Sequence, residues 1–378
     1  MSAPAPAPNE DTAPRERGSW LRRRRVELVA SLAIAGGFAW LLHAGALPLV
    51  PPASAFARVR WWAVAVYFGL WCVIHVVRAG RWWLLIAPVR PVPLGRVTRV
   101  ALIGFAAIVL LPFRTGEVVR PVLIRRRGHL SAWVATGTVA AERVIDGLCL
   151  SVLLFIALRL ARPLDPLPDR IGELPVPVAV VPGAAYTALA VFAAAFLVMA
   201  LFYWRRAWAR RVSERVVGLV SERLARWLAD RVEQVADGLG FLPRLRYAIP
   251  FVGLTLAYWL SNAAATWFLA WACGFDTMSF WQAAACVGVL ALGILLPNAP
   301  GFFGAFQISV YAGFAMYFEP TLVTGPGAAF VFIVYLVQVA ISLGFGAAAL
   351  LVERESVSGA LAATRSRLAP GAPEGGAG

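Results

Sequence analysis

The chain contains no lysine: every one of its 35 basic residues is arginine. That absence removes the G-x-x-x-x-G-K-[ST] phosphate loop, whose lysine reaches the terminal phosphates of a nucleotide, so any active transport is expected to draw on ion or lipid gradients. Cysteine is scarce, and Cys72, Cys149, Cys273 and Cys286 all fall in or at the edges of apolar segments. With no CxxC spacing and no histidine in metal-ligand rhythm, they read as small packing residues and point to no metal site. His43, His75 and His129 are scattered, and nothing pairs them with a serine or cysteine nucleophile. No catalytic domain, metal or cofactor is therefore expected.

Apolar residues are what the chain has in plenty. It is 60% hydrophobic with a mean hydropathy of +0.72, and its charges collect between apolar runs. Each run is near the roughly 20 residues that a spanning helix needs. The expected fold is an all-α polytopic membrane bundle of about seven to eight spans with one or two re-entrant or broken helices. A net charge of +15 would ordinarily raise the question of a nucleic-acid partner. The arginines sit in loops between apolar runs, which fits the positive-inside rule better than phosphate-backbone binding, and no nucleic acid is expected. Arginine- and alanine-rich usage without lysine matches a high-GC bacterial genome.

Residues 1–19 are rich in proline and alanine and read as a disordered cytoplasmic tail, as do residues 353–378. Between them, residues 20–352 form the membrane domain. No cleavable-signal pattern precedes the first apolar run, about 26–47, which reads as a signal anchor and span. Further apolar segments cover 61–86, 97–113, 131–160, 177–204, 248–272, 280–297, 301–318 and 327–352. Arg22–Arg25 place the N-terminus inside, and Arg78, Arg81, Arg90, Arg96 and Arg99 are inside again two spans later. A full crossing at 97–113 would put Arg114, Arg120, Arg125–Arg127 and the arginine-dense stretch 205–246 outside. A segment that dips in and returns keeps all of them, and both termini, cytoplasmic, so 97–113 is predicted to be re-entrant. Within 205–246, apolar residues from Trp208 to Leu239 keep helical spacing. This predicts either an amphipathic helix on the cytoplasmic surface of the inner, or plasma, membrane or a helical linker packed on the protein.

Six ionisable residues stand out between the apolar segments: Arg114, Glu117 and Arg120, then Glu142, Arg143 and Asp146. Charges at membrane depth cost several kcal/mol unless paired or watered, so a cluster of them marks a pocket. Glu142 and Asp146 share one helix face, and Arg143 reaches Asp146 at i+3. The set holds three arginines and three acids. It can be a self-satisfied structural network, or Arg114 and Arg120 can grip a phosphate through bidentate donors while the acids orient them or receive a cationic headgroup. Arg78, Arg81 and Arg125–Arg127 read most simply as topology determinants. The pattern LLPxxxG occurs twice, at Leu110–Gly116 and at Leu295–Gly301. Proline removes a backbone donor, so each copy is expected to break a helix near membrane depth. A new helix then begins after Thr115, and again after Asn298 or at Pro300. Broken helices in corresponding places point to a transporter's binding site.

Four stretches together resemble the lysylphosphatidylglycerol synthase transmembrane, or flippase-like, family. They are Arg-Ala-Gly-Arg-Trp-Trp at 78–83, Leu-Pro-Phe-Arg-Thr-Gly-Glu-Val-Val-Arg at 111–120, Glu-Arg-Val-Ile-Asp at 142–146 and Leu-Pro-Asn-Ala-Pro-Gly-Phe-Phe-Gly at 296–304. The resemblance covers most of 20–352 and implies a lipid-handling membrane domain. Carried over by position, its residues are Arg114, Gly116, Glu117, Arg120, Glu142, Arg143, Asp146, Pro300, Gly301 and Gly304. In larger family members an aminoacyltransferase domain follows, whereas here a short tail follows Arg354, so that enzymatic half is expected to be absent. Where the family tends to place a glutamate after the last glycine, this chain has Gln307, which suits a sugar or plain phosphate headgroup better than a cationic one.

The expected substrate-binding set is thus Arg114, Glu117, Arg120, Glu142, Arg143, Asp146, Asn298, Gly301, Gly304 and Gln307. The expected function is to bind an anionic phospholipid or lipid-linked intermediate and move it between leaflets. Two alternatives stand beside it. One is an accessory subunit that presents lipid to a separate membrane-associated glycosyl- or aminoacyl-transferase. The other is an intramembrane enzyme using Glu117, Glu142 or Asp146 as acid or base, for which no nucleophile or metal set is present.

Overall fold

The structure, a computed structural model, describes residues 29, 32–48, 50–111, 116–128, 130–175, 178–205, 230–231, 233–295 and 299–368. The predicted tail 1–19, Arg114, Asn298 and most of the 205–246 stretch lie outside these residues. Among the described residues the protein is helical. The helices are α1 (Leu32–Ala44), α2 (Trp61–Arg81), α3 (Trp83–Ile86), α4 (Leu94–Leu110), α5 (Val119–Gly128), α6 (Ala132–Leu160), α7 (Val180–Trp204) and α8 (Leu245–Ala272). They continue with α9 (Phe280–Gly293), α10 (Ala305–Ala315), α11 (Pro320–Thr324) and α12 (Pro326–Leu368).

Among the described residues four segments are long and apolar enough to cross a membrane: Trp61–Ile86, Val180–Trp204, Leu245–Ala272 and Pro326–Glu353. Long apolar helices are what a bilayer demands, because only a helix satisfies its own backbone groups where no water can. The first shows an inward stripe and an outward one. On α2, Ala63, Tyr67, Trp71, Ile74, His75, Ala79 and Arg81 are buried at helical spacing, while Val66, Leu70, Val73, Val76 and Val77 face outward. The 29-residue α6 runs the same depth although it carries the charged sequence Glu142–Asp146. Trp82 Nε1 donates to Thr138 Oγ1 near its start, and beyond its end the Leu164 N–H donates to the Met316 carbonyl.

α2 and α8 are antiparallel. The Arg60 N–H donates to Ala272 O at 2.8 Å at one end, and Arg81 Nη1 donates to Thr255 Oγ1 at 2.6 Å towards the other. This sets a far end, at Arg60 and Ala272, and an arginine-rich end, at Arg81, Arg90, Arg96 and Arg99. Arg99 pairs with Glu353 there at 2.8 Å, so α12 runs from the far end to the arginine-rich end.

Two helical hairpins enter between these long helices from opposite ends. The first is α4 and α5. A methyl group placed on Gly116 would lie 2.3 Å from the backbone of Ala107 and Ile108, and one on Gly104 would lie 2.2 Å from Arg120 Cγ. The chain therefore reverses after Leu111 and returns along α4. At 17 residues α4 is about 25 Å long, short of the roughly 30 Å hydrocarbon core. The second is α9 and α10, of 14 and 11 residues. Gly293 meets Ser309 and Gly313 meets Cys286, so these arms are antiparallel too. The apolar segments 280–297 and 301–318 are thus two arms of one hairpin. The α4–α5 hairpin is the geometry that a re-entrant 97–113 requires.

The described residues of both LLPxxxG copies fall at the hairpin tips. Leu110 ends α4 and Gly116 opens a 3-10 turn over 116–118; Leu295 follows α9 and Gly301 lies in the 3-10 turn Pro300–Phe302 at φ +71°. The 300–302 turn packs on α4, so the two tips meet inside the bundle. An apolar core fills the far end, with Tyr67, Leu154, Leu269, Phe275, Phe314 and Phe330 among its residues. A second fills the arginine-rich end, with Trp82, Leu85, Val97, Ile124, Val139 and Phe251. Phe302 and Phe345 pack against both.

At the C-terminus the backbone stays helical to Leu368, through the first part of the stretch 353–378 predicted to be a disordered tail. The alanine-, leucine-, glutamate- and arginine-rich sequence there consists mostly of good helix formers, so a helix already running needs no new nucleus to continue.

Candidate functional site

Between the two cores lies a cavity of about 560 Å³. Its walls differ in character. Residues from α2, α8 and α12 supply His75, Arg78, Tyr258, Trp259, Asn262, Gln338 and Ser342. Residues from the hairpin tips, α6, α7 and α9 supply Ile108, Val109, Leu150, Phe192, Leu290, Ile294, Leu295, Phe302 and Phe306. At the arginine-rich end the walls join at Arg78, Glu117, Arg143 and Asp146.

Behind that charged end is a buried ion-pair network. Arg81 Nη2 lies 2.6 Å from Asp146 Oδ2 and 3.3 Å from Glu142 Oε1. Arg120 Nη1 donates to Glu142 Oε2 at 2.7 Å, and Arg143 Nη2 donates to Glu142 Oε1 at 3.2 Å and lies 3.9 Å from Asp146 Oδ2. Glu142, with no exposed side-chain surface, thus accepts from three arginines. Rings enclose the cations: Arg120 sits 5.0 Å from the Trp82 centroid and 5.2 Å from that of Phe105, and Arg81 lies 5.1 Å from Tyr258. Gly104 admits the Arg120 stem, since any side chain there would occupy its place. Taking such charges out of water costs several kcal/mol each, which only this density of partners offsets.

The predicted residues fall into three groups. Glu117, Arg143, Asp146 and Gly301 line the cavity. Arg120 and Glu142 are fully buried behind it, so they hold the wall together and are not the groups a ligand meets. Gly304 and Gln307 serve the second hairpin: Gln307 Oε1 accepts the Gly304 N–H at 2.7 Å and caps α10, and Gly304, at φ +84°, packs against Phe38 of α1. This cap needs only an acceptor oxygen, which a glutamate would supply as well as Gln307 does. Arg114 and Asn298 lie outside the described residues.

Two arginines correct the sequence-based reading. Arg81 is not a topology determinant in a loop but the buried cation that joins Glu142 to Asp146, 1% exposed. Arg78 is on the cavity wall, its guanidinium 4.4 Å from the Phe105 centroid and 5.4 Å from that of Tyr258. Among the described residues no carboxylate lies within ion-pair distance of it. The sequence held the signal: Arg78 and Arg81 continue the helical stripe of Trp71, Ile74 and His75, and both lie within an apolar segment rather than after it.

Paired hairpins and a bundle of long apolar helices around a charged internal cavity define a multi-pass helical membrane protein. Residues 28–346 match the family described as Lysylphosphatidylglycerol synthase TM region, and the chain belongs to that family. No curated protein and no solved structure matches the chain.

Proposed function

We propose that this protein binds an anionic phospholipid or lipid-linked intermediate in the cavity and moves it between leaflets of the cell membrane, without catalysing a reaction on it. The observation that carries this reading is a cavity with one polar and one apolar wall, the shape and chemistry of an amphiphile. A phosphate at the charged end meets Arg78 and Arg143, which offer planar guanidinium donors, while acyl or prenyl carbon lies along Leu290, Ile294, Leu295 and Phe302. Entry of the hairpins from opposite ends supports alternating access, since shifting either tip opens the same cavity towards a different leaflet. The arginine-rich end is the cytoplasmic one by the positive-inside rule, which places both termini inside.

The test is exchange of labelled phosphatidylglycerol between leaflets of vesicles containing the purified protein. Wild-type vesicles should exchange faster than empty ones. Arg78→Gln should slow exchange by about tenfold, the worth of one charge-assisted hydrogen bond. Wild-type exchange no faster than that of empty vesicles removes the transport claim; lipid retained by the protein without exchange favours lipid presentation to a separate transferase.

A further inference from the structure

Beyond its charged end the polar wall carries no charge. Moving from Arg78 towards the far end, the cavity is lined by Trp71, Trp259, Asn262, Thr266, Gln338 and Ser342, uncharged side chains that donate or accept hydrogen bonds together with two indoles. Trp71 Nε1, His75 Nε2 and Trp259 Nε1 are buried on this wall without a hydrogen-bond partner among the described residues, as are Arg78 Nε, Arg143 Nε and Asp146 Oδ1 at its charged end. Leaving a buried polar atom unpaired is costly, so six around one cavity mark places where a ligand supplies the missing partners.

Charge counting narrows what that ligand is. In and behind the charged end, Arg78, Arg81, Arg120 and Arg143 face Glu117, Glu142 and Asp146, four cations against three anions among the described residues. The excess among them is positive, which suits a phosphate. An ammonium on the same headgroup would add positive charge and face a wall with no further carboxylate among the described residues.

We propose that this neutral wall is a polyol subsite, so that the lipid carries, beyond its phosphate, an uncharged polyhydroxylated headgroup such as a cyclitol or sugar. The indoles of Trp71 and Trp259 offer flat apolar faces to ring C–H groups, and Asn262, Thr266, Gln338 and the free Asp146 Oδ1 take the hydroxyls. The class of substrate deepens the lipid-handling function and rests on it.

The test uses the full chain in detergent and measures binding of phosphatidylinositol, phosphatidic acid, phosphatidylethanolamine and deacylated glycerophosphoinositol. Phosphatidylinositol should bind about tenfold tighter than phosphatidic acid, as one or two added hydrogen bonds require, and phosphatidylethanolamine weakest. Asn262→Leu and Gln338→Met should each lower the ratio of phosphatidylinositol to phosphatidic acid affinity severalfold. Because the ratio is taken on one preparation, loss of folded protein does not alter it. Glycerophosphoinositol binding as tightly as the intact lipid would show a soluble polyol phosphate to be the ligand, which keeps the subsite and removes the lipid function. Equal affinity for phosphatidylinositol and phosphatidic acid, or a ratio that neither variant moves, overturns the subsite, while lipid retention and exchange by the same wild-type preparation would leave the transport function standing.

Discussion

Arg81→Met is expected to destabilise the protein severely. Methionine matches the apolar stem of arginine but supplies no donor, so Asp146 is left with Arg143 at 3.9 Å and Thr255 loses its partner. Glu142 keeps Arg120 and Arg143, so the stranded charge is mainly that of Asp146. Breaking one side of a buried pair costs about 3–5 kcal/mol, a large part of the stability of an ordinary domain. The measurable consequence is a much lower yield of monodisperse detergent-solubilised protein and an unfolding midpoint far below that of wild type. The double variant Arg81→Met, Asp146→Asn removes the stranded charge as well and should recover much of the loss, a non-additivity expected only of groups in contact. A single variant that melts with the wild type would put Arg81 in water and dissolve the network.

Gly116→Val should be comparably severe for a steric reason. Its Cβ would lie 2.3 Å from the α4 backbone at Ala107 and Ile108, and backbone cannot rotate aside as a side chain can. The α4–α5 hairpin must then open, carrying Glu117 away from the cavity and loosening Arg120 from Glu142. Overpacking a tight contact costs about 1–3 kcal/mol or more, and here it falls on the element that shapes the binding site. The expected results are a lowered unfolding midpoint and loss of lipid retention together. Gly253→Ala is the matched control. Nothing lies within 4 Å of a Cβ at Gly253 in the middle of α8, so removing helical glycine there should be neutral or stabilising by up to about 1 kcal/mol. Gly116→Val retaining the wild-type midpoint and lipid content would mean that the hairpin does not close as described.

The pairing of LLPxxxG with helix breaks was legible because proline with a glycine four residues later disfavours a continuing helix locally, although either residue alone is carried within a helix, as Pro250 and Gly253 are in α8. Glu142, Arg143 and Asp146 were legible as a cluster because i, i+3 and i, i+4 spacing fixes their common face on α6. Their division of labour was not legible. Arg120 and Arg143 are both arginines beside acids, and only packing puts Arg120 against Gly104 and Trp82 behind the wall while Arg143 reaches the cavity.

By itself the sequence determined a membrane-embedded all-helical protein with charges held at depth, because a helix that spans a bilayer needs a given length and apolarity, and these are properties of short windows of chain. Tertiary structure alone decided which charges those are. Arg81 meets Asp146 across 65 residues of sequence, and whether an arginine near the end of an apolar run turns to water or into the bundle depends on that distant carboxylate being there to receive it.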